Sequence, residues 1–128
     1  MAQCLTAIAG SSAWVERGFV TYSNEAKQEM LGVSSETLQL HGAVSEATVA
    51  AMAEGCLERS EAEVALSISG IAGPGGGSPA KPVGTVCFGW ARHGEAPQTT
   101  TCHFDGDRAA VRRQAVVFAL EELLRRYA

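Results

Sequence analysis

The stretch VALSISGIAGPGGG, residues 64–77, decides how this chain is read. Its first half is a continuous apolar run rich in β-branched residues, the pattern of a strand buried on both faces. Its second half is glycine and proline, so the strand delivers Ser69, Gly70 and Gly73 straight into a loop. A strand covered on both faces needs helices to cover it, and the flanking sequence supplies them. Upstream, Val49, Met52, Ala53, Cys56 and Leu57 recur at i, i+3, i+4, i+7 and i+8, which predicts an amphipathic helix from Ser45 to about Arg59. Downstream, the loop GPGGGSPAKP (73–82) leads into VGTVCFGWA and QTTTCHF, a strand pair joined around RHGEAP.

Working outward, the chain ends in a long helix from about Asp107, with Val116, Ala119, Leu120, Leu123 and Tyr127 as its apolar stripe. Glu121–Arg125 and Glu122–Arg126 stand at i,i+4 in the favourable order. Residues 16–22 read as another strand, with Val20 and Tyr22 on one face and Phe19 and Thr21 on the other. NEAKQEMLG is a short helix stopped by Gly32, with Asn24 as its N-cap. SSETLQLHG is a second, capped by Ser34. AQCLTAIAG predicts a short helix ending at Gly10 that starts with no cap, like the tail of a longer one. Helices interleaved with strands and no internal repeat or dividing linker give one α/β domain over 1–128, with helices packed on a mixed sheet.

The bulk numbers narrow the function. A chain of 128 residues with 46% apolar and 19% charged residues is globular. Its net charge of −4 argues against a nucleic-acid binder, which carries a basic balance. No run approaches the ~18 apolar residues of a membrane span, and the N-terminus lacks the basic region of a signal peptide. Cys4, Cys56, Cys87 and Cys102 are scattered without a CxxC, as expected of reduced cysteines in the cytoplasm. His41, His93 and His103 are far apart and share no helical i,i+4 spacing, so no metal is expected.

Three places can carry chemistry. Lys27 falls in the first turn of its helix, the wrong end for a cation. It is either a solvated surface amine or a base: a positive helix end and burial both lower a lysine pKa, and a neutral amine accepts protons. Tyr22 ends the preceding segment, close enough in sequence to share a site, although an amphipathic residue at a sheet end reads the same way. The loop after Ser69 lets backbone approach a ligand or form an anion-binding nest, or is only a flexible connection; it is neither a P-loop nor GxGxxG. Arg108 repeats the anomaly of Lys27 at the start of the last helix. It faces either solvent or an anionic ligand such as a phosphate.

In order along the chain, GSSAW, ERGFVTYSNEAKQEMLGV, HGAVSE, ISGIAGPGGG, KPVGTV and DGDRAAVRRQA closely resemble the C-terminal domain of the competence/damage-inducible protein CinA. The likeness runs from about residue 8 to the end. It implies a three-layer α/β/α fold and the activity of a nicotinamide-nucleotide amidase, which hydrolyses the carboxamide of nicotinamide mononucleotide to nicotinate mononucleotide and ammonia in pyridine nucleotide salvage. The family uses a serine nucleophile and a lysine base, helped by a tyrosine and a hydroxyl residue. These match Lys27, Tyr22 and Ser69, the last replacing the threonine of the family's TGIAGP motif. Asn24, Gly70, Ala72, Gly73 and Arg108 fall at substrate-binding positions, with Arg108 near the phosphate. The resemblance implies a small-molecule pyridine nucleotide as partner, a homodimer, a cytoplasmic location and no cofactor.

One family motif is not in the sequence. The nucleophile belongs to a Ser-Cys-Thr-Gly-Gly turn, upstream of any residue present. The expectation is therefore a single domain lacking the family's first strand and nucleophile turn, with residues 2–9 the remnant of the helix that follows. Three alternatives stay open. The chain is an amidase whose start lies further upstream, an inactive homologue that still binds a nucleotide, or an assembly protein that pairs through an exposed sheet edge.

Overall fold

The computed structural model describes residues 1–127. Helix α1 (Ala2–Leu5) is shorter than the sequence predicts, and Gly10 in the left-handed region leads into a 3-10 turn at Ser11–Ala13. Helix α2 (Asn24–Leu31) is capped by Ser23, whose hydroxyl accepts from the Ala26 N–H. Asn24 is thus the first helical residue and not the cap. Two good capping side chains are adjacent, and the earlier one reaches the N–H three residues on. At its far end Gly32 takes φ 68°, and the Val33 N–H closes onto the Lys27 carbonyl.

Helices α3 (Ser35–His41) and α4 (Glu46–Glu58) begin with hydroxyl caps from Ser34 and Ser45. Strands β1 (Val64–Gly70), β2 (Thr85–Arg92) and β3 (Gln98–His103) form an antiparallel sheet in the order β1-β2-β3. Ser69 stands opposite Cys87, and Val86 opposite Cys102. Helix α5 (Arg108–Tyr127) closes the chain, and the Asp107 carboxylate accepts from the Ala110 N–H as its cap.

The expected three layers are present. Strand β2 is buried from Thr85 to Ala91, and its alternate side chains feed two cores. Val86, Phe88 and Trp90 pack with Val111, Ala115 and Ala119 of α5. Cys87 and Ala91 face the other way, toward Val49, Met52, Ala53 and Leu57 of α4. The α5 stripe is turned relative to the one predicted: Val111, Ala115, Phe118 and Ala119 join the core with Leu123 and Tyr127, and Val116 and Leu120 do not.

Two expectations need correction. Residues 16–22 make no strand here: their backbone groups form no backbone hydrogen bonds, so the three-stranded ladder is antiparallel rather than mixed. The predicted alternation survives without the pairing. Thr21 is buried, whereas Val20 and Tyr22 are 85% and 88% exposed. On α5, Glu122 binds both Arg125 and Arg126, so the Glu121–Arg125 pair does not form. Arg126 also lies 4.2 Å from the centre of the Trp90 ring and stacks on it. No helix among the described residues is long and apolar enough to cross a membrane.

Helix α4 sits unusually close to its neighbours. A Cβ on Gly55 would collide with the carbonyl oxygen of Leu31 in α2. Gly55→Ala is expected to destabilise the protein by about 1–3 kcal/mol in denaturant titration through overpacking, against the ~1 kcal/mol that alanine gains in a helix. Unchanged stability would contradict this packing. Hydrogen bonds from Arg125 and Arg126 hold the Glu122 carboxyl at about 2. A carboxylate lowered in the folded state stabilises above its unfolded value and loses that effect as pH falls through the folded one. Glu122→Gln should therefore flatten the acid limb of the stability curve between about pH 4.5 and 2.

Candidate functional site

Lys27 is the anchor of the site. It occupies the end of the first turn of α2, and its backbone N–H is already bonded to the Ser23 carbonyl. Helical side chains lean toward the N-terminus. That of Lys27 runs back beneath the preceding segment, where Nζ donates to the Thr21 carbonyl oxygen at 2.6 Å. The residue is only 6% exposed. Among the described residues no carboxylate lies within ion-pair distance of it. Burial without a compensating charge lowers its pKa from the ordinary lysine value. Desolvation is thus the cause of the shift, where the sequence suggested the helix end as well. A neutral amine can keep donating to Thr21 while its lone pair stays free.

Tyr22 follows the carbonyl that Lys27 grips, so the amine lies beside the Thr21–Tyr22 peptide. The tyrosine ring itself points away into solvent. The structure brings Lys27 to the Tyr22 backbone but not to its ring. Asn24 is exposed, beside Gln28 and across a shallow depression from Ser35 and Gln39 of α3.

Ser69 lies near the end of β1, half-buried, with its hydroxyl donating to the Ala43 carbonyl at 2.8 Å. That carbonyl belongs to the turn between α3 and α4. Gly70 follows, where a Cβ would come within 2.8 Å of the Val86 side chain. Ala72 packs against the α5 core. Gly73 is buried at φ 83°, a conformation that favours glycine. Arg108 reaches this point: its Nη1 donates to the Gly73 carbonyl at 3.0 Å. One guanidinium N–H is therefore committed to the loop, and the other four donors remain. Arg108 and the glycine-rich loop, separate candidates in the sequence, are one structural unit.

Sequence reasoning missed the two carbonyls that orient these side chains, Thr21 for Lys27 and Ala43 for Ser69. A backbone acceptor leaves no residue-type signal. It also missed Glu46, whose carboxylate accepts from the hydroxyls of Thr101 at 2.6 Å and Thr99 at 2.8 Å. Those bonds hold its pKa below the usual carboxylate range and tie the start of α4 to β3. The only advance sign was a run of threonines on one strand. Among the described residues no group of three His, Cys, Asp or Glu side chains could hold a metal ion.

Comparison with known proteins identifies the family. The CinA C-terminal domain family matches residues 1–127. The chain is 59% identical over 128 residues to a nicotinamide-nucleotide amidohydrolase PncC of Escherichia coli strain K12, spanning 99% of this chain and 77% of that protein. It is 58% identical over 127 residues to the protein of the same name from Enterobacter agglomerans, with the same two shares. Among solved structures, a competence/damage-inducible protein CihA from Agrobacterium tumefaciens superposes with a TM-score of 0.92 at 49% identity, over 96% of this chain and 75% of that one. A competence or damage-inducible protein from Enterobacter asburiae gives 0.93 at 41%, over 99% and 79%. The chain thus belongs to the CinA C-terminal domain family.

Proposed function

We propose that the chain is the base-bearing and substrate-binding part of a nicotinamide-nucleotide amidase. The reaction is hydrolysis of the carboxamide of nicotinamide mononucleotide to nicotinate mononucleotide and ammonia, a salvage step placed in the cytoplasm. The observation that carries this reading is Lys27: a buried amine with no carboxylate facing it among the described residues and a lowered pKa. The high identity to proteins named nicotinamide-nucleotide amidohydrolase supports the substrate class.

The residues divide the work. Neutral Lys27 takes the proton of a serine hydroxyl as that oxygen attacks the carboxamide carbon. Lys27 returns that proton to the amide nitrogen, the C–N bond breaks, and ammonia leaves an acyl ester on the serine. Water then releases the carboxylate. Ser69, whose hydroxyl donates to the Ala43 carbonyl, keeps its oxygen lone pairs as acceptors for the substrate. Tyr22 needs a rotation of its side chain to join them. Arg108, with Gly73 and Gly70, receives the phosphate, and Ala72 and Asn24 complete the binding surface. No cofactor is required, and the protein acts as one domain that assembles as a homodimer.

The nucleophile of this scheme belongs to a Ser-Cys-Thr-Gly-Gly motif, which the 128 residues do not contain. This favours a second reading, in which the 128 residues alone bind the nucleotide without turning it over. Ammonia release and calorimetry separate the two. The proposal expects nicotinamide mononucleotide to bind this chain, and expects ammonia from a form carrying the motif upstream. Failure to bind would overturn both readings. Arg108→Ala should weaken the mononucleotide about tenfold or more, in line with loss of a charge-assisted bond, and leave free nicotinamide unaffected; an equal loss on both would remove Arg108 from the phosphate site.

Lys27→Met gives a second test through pH. A lysine lowered in the folded state binds fewer protons than in the unfolded chain across the window from its folded value up to the ordinary one. Stability therefore rises with pH across that window. The substitution should abolish that slope and raise stability at neutral pH. A slope that persists in the variant would assign it to another group.

A further inference from the structure

The lysine that precedes Pro82 has no part in the chemistry above, yet it is one of four side chains that donate to a single turn. Three consecutive carbonyls between α3 and α4 each hold side chains. The Lys81 Nζ donates to His41 at 2.8 Å, Thr48 and Ser45 donate to Gly42 at 2.7 and 2.9 Å, and Ser69 donates to Ala43 at 2.8 Å. His41 is the last residue of α3, so its carbonyl is one of those a helix leaves without an internal partner. A lysine is favoured there by hydrogen bonding and by the dipole. Thr48 is fully buried, which makes this turn a fixed point in the fold.

The same lysine ends the glycine-rich loop. Its own backbone N–H bonds the Ser78 hydroxyl at 3.1 Å, and its carbonyl accepts from the Ser78 N–H at 3.0 Å, closing a small turn over 78–81. At the other end of the loop, Arg108 holds the Gly73 carbonyl. Residues 74–80 between these anchors are exposed, and among them only the Ser78 backbone and side chain make hydrogen bonds to the rest of the chain.

We propose that Lys81 is a positioning residue. By clamping the distal end of the loop to the α3 C-terminus, it fixes the 73–82 backbone relative to the Ser69 hydroxyl, which hangs from the same turn. Ordering a glycine-rich segment in advance removes part of the entropy that a ligand would otherwise have to supply. The effect on nucleotide rests on the function proposed above; the clamp itself does not.

Lys81→Met keeps the aliphatic stem and removes the donor, and Lys81→Arg restores one. Backbone ¹⁵N relaxation of the 128-residue protein should give order parameters at Ser78 and Ala80 near the rigid value of about 0.85, falling below about 0.6 in Lys81→Met and recovering in Lys81→Arg. Calorimetry with nicotinamide mononucleotide should show about tenfold weaker binding in Lys81→Met, equivalent to about 1.4 kcal/mol, and recovery in the arginine variant. Unchanged order parameters would overturn the clamp whether or not the nucleotide binds. If the parent binds the nucleotide, equal affinity in Lys81→Met would overturn its role in positioning. If the parent shows loop ordering but no binding, the clamp stands and the functional reading fails.

Discussion

Everything in this molecule depends on how closely α4 lies against its surroundings. On the sheet side, a Cβ at Gly89 would stand 2.6 Å from the Val49 carbonyl and 2.7 Å from the Ser67 hydroxyl. That hydroxyl donates to the same carbonyl at 2.6 Å, so strand and helix are joined by a buried hydrogen bond. On the opposite side Gly55 admits the backbone of α2. Two glycines thus allow three layers of backbone to stack with almost no side chain between them. The remaining apolar positions of α4 fill the space around these contacts.

The candidate site inherits its geometry from this stack. On α2, Lys27 is buried and its amine donates to the Thr21 carbonyl. Because α4 begins where Glu46 binds the two β3 threonines, the turn before it is fixed, and with it the Ala43 carbonyl that directs Ser69. On the other face α5 is locked to β2 by an aromatic cluster, with the Phe88 and Phe118 rings 4.8 Å apart. The start of that helix carries Arg108 to Gly73. Each candidate group is therefore set by a different element, and all of those elements are referred to the central strand.

Much of this was legible in the residues. The i, i+3, i+4 pattern at 45–59 formed the expected helix, and the apolar run at 64–70 and the segments after Pro82 formed the expected strands. The α5 stripe was read a fraction of a turn out, because Phe118 and Val111 face the core and no periodicity rule weighs an aromatic cluster against a longer aliphatic run. The cap of α2 was misplaced by one residue because Ser23 and Asn24 are equally good caps. The 16–22 segment alternates like a strand, but alternation reports which face is covered and not whether a neighbour supplies hydrogen bonds. The candidate side chains themselves were found by type and resemblance. Their acceptors were not, since Thr21 and Ala43 act through main-chain oxygens.

The central claim is that burial, rather than any charge partner, lowers the pKa of the Lys27 amine. NMR titration of that side chain, following its ¹³Cε and ¹⁵Nζ shifts with pH in the folded protein, reads this directly. The account predicts a midpoint displaced below the ordinary lysine value, Lys81→Met serving to assign the signals. A midpoint at the ordinary lysine value would contradict it.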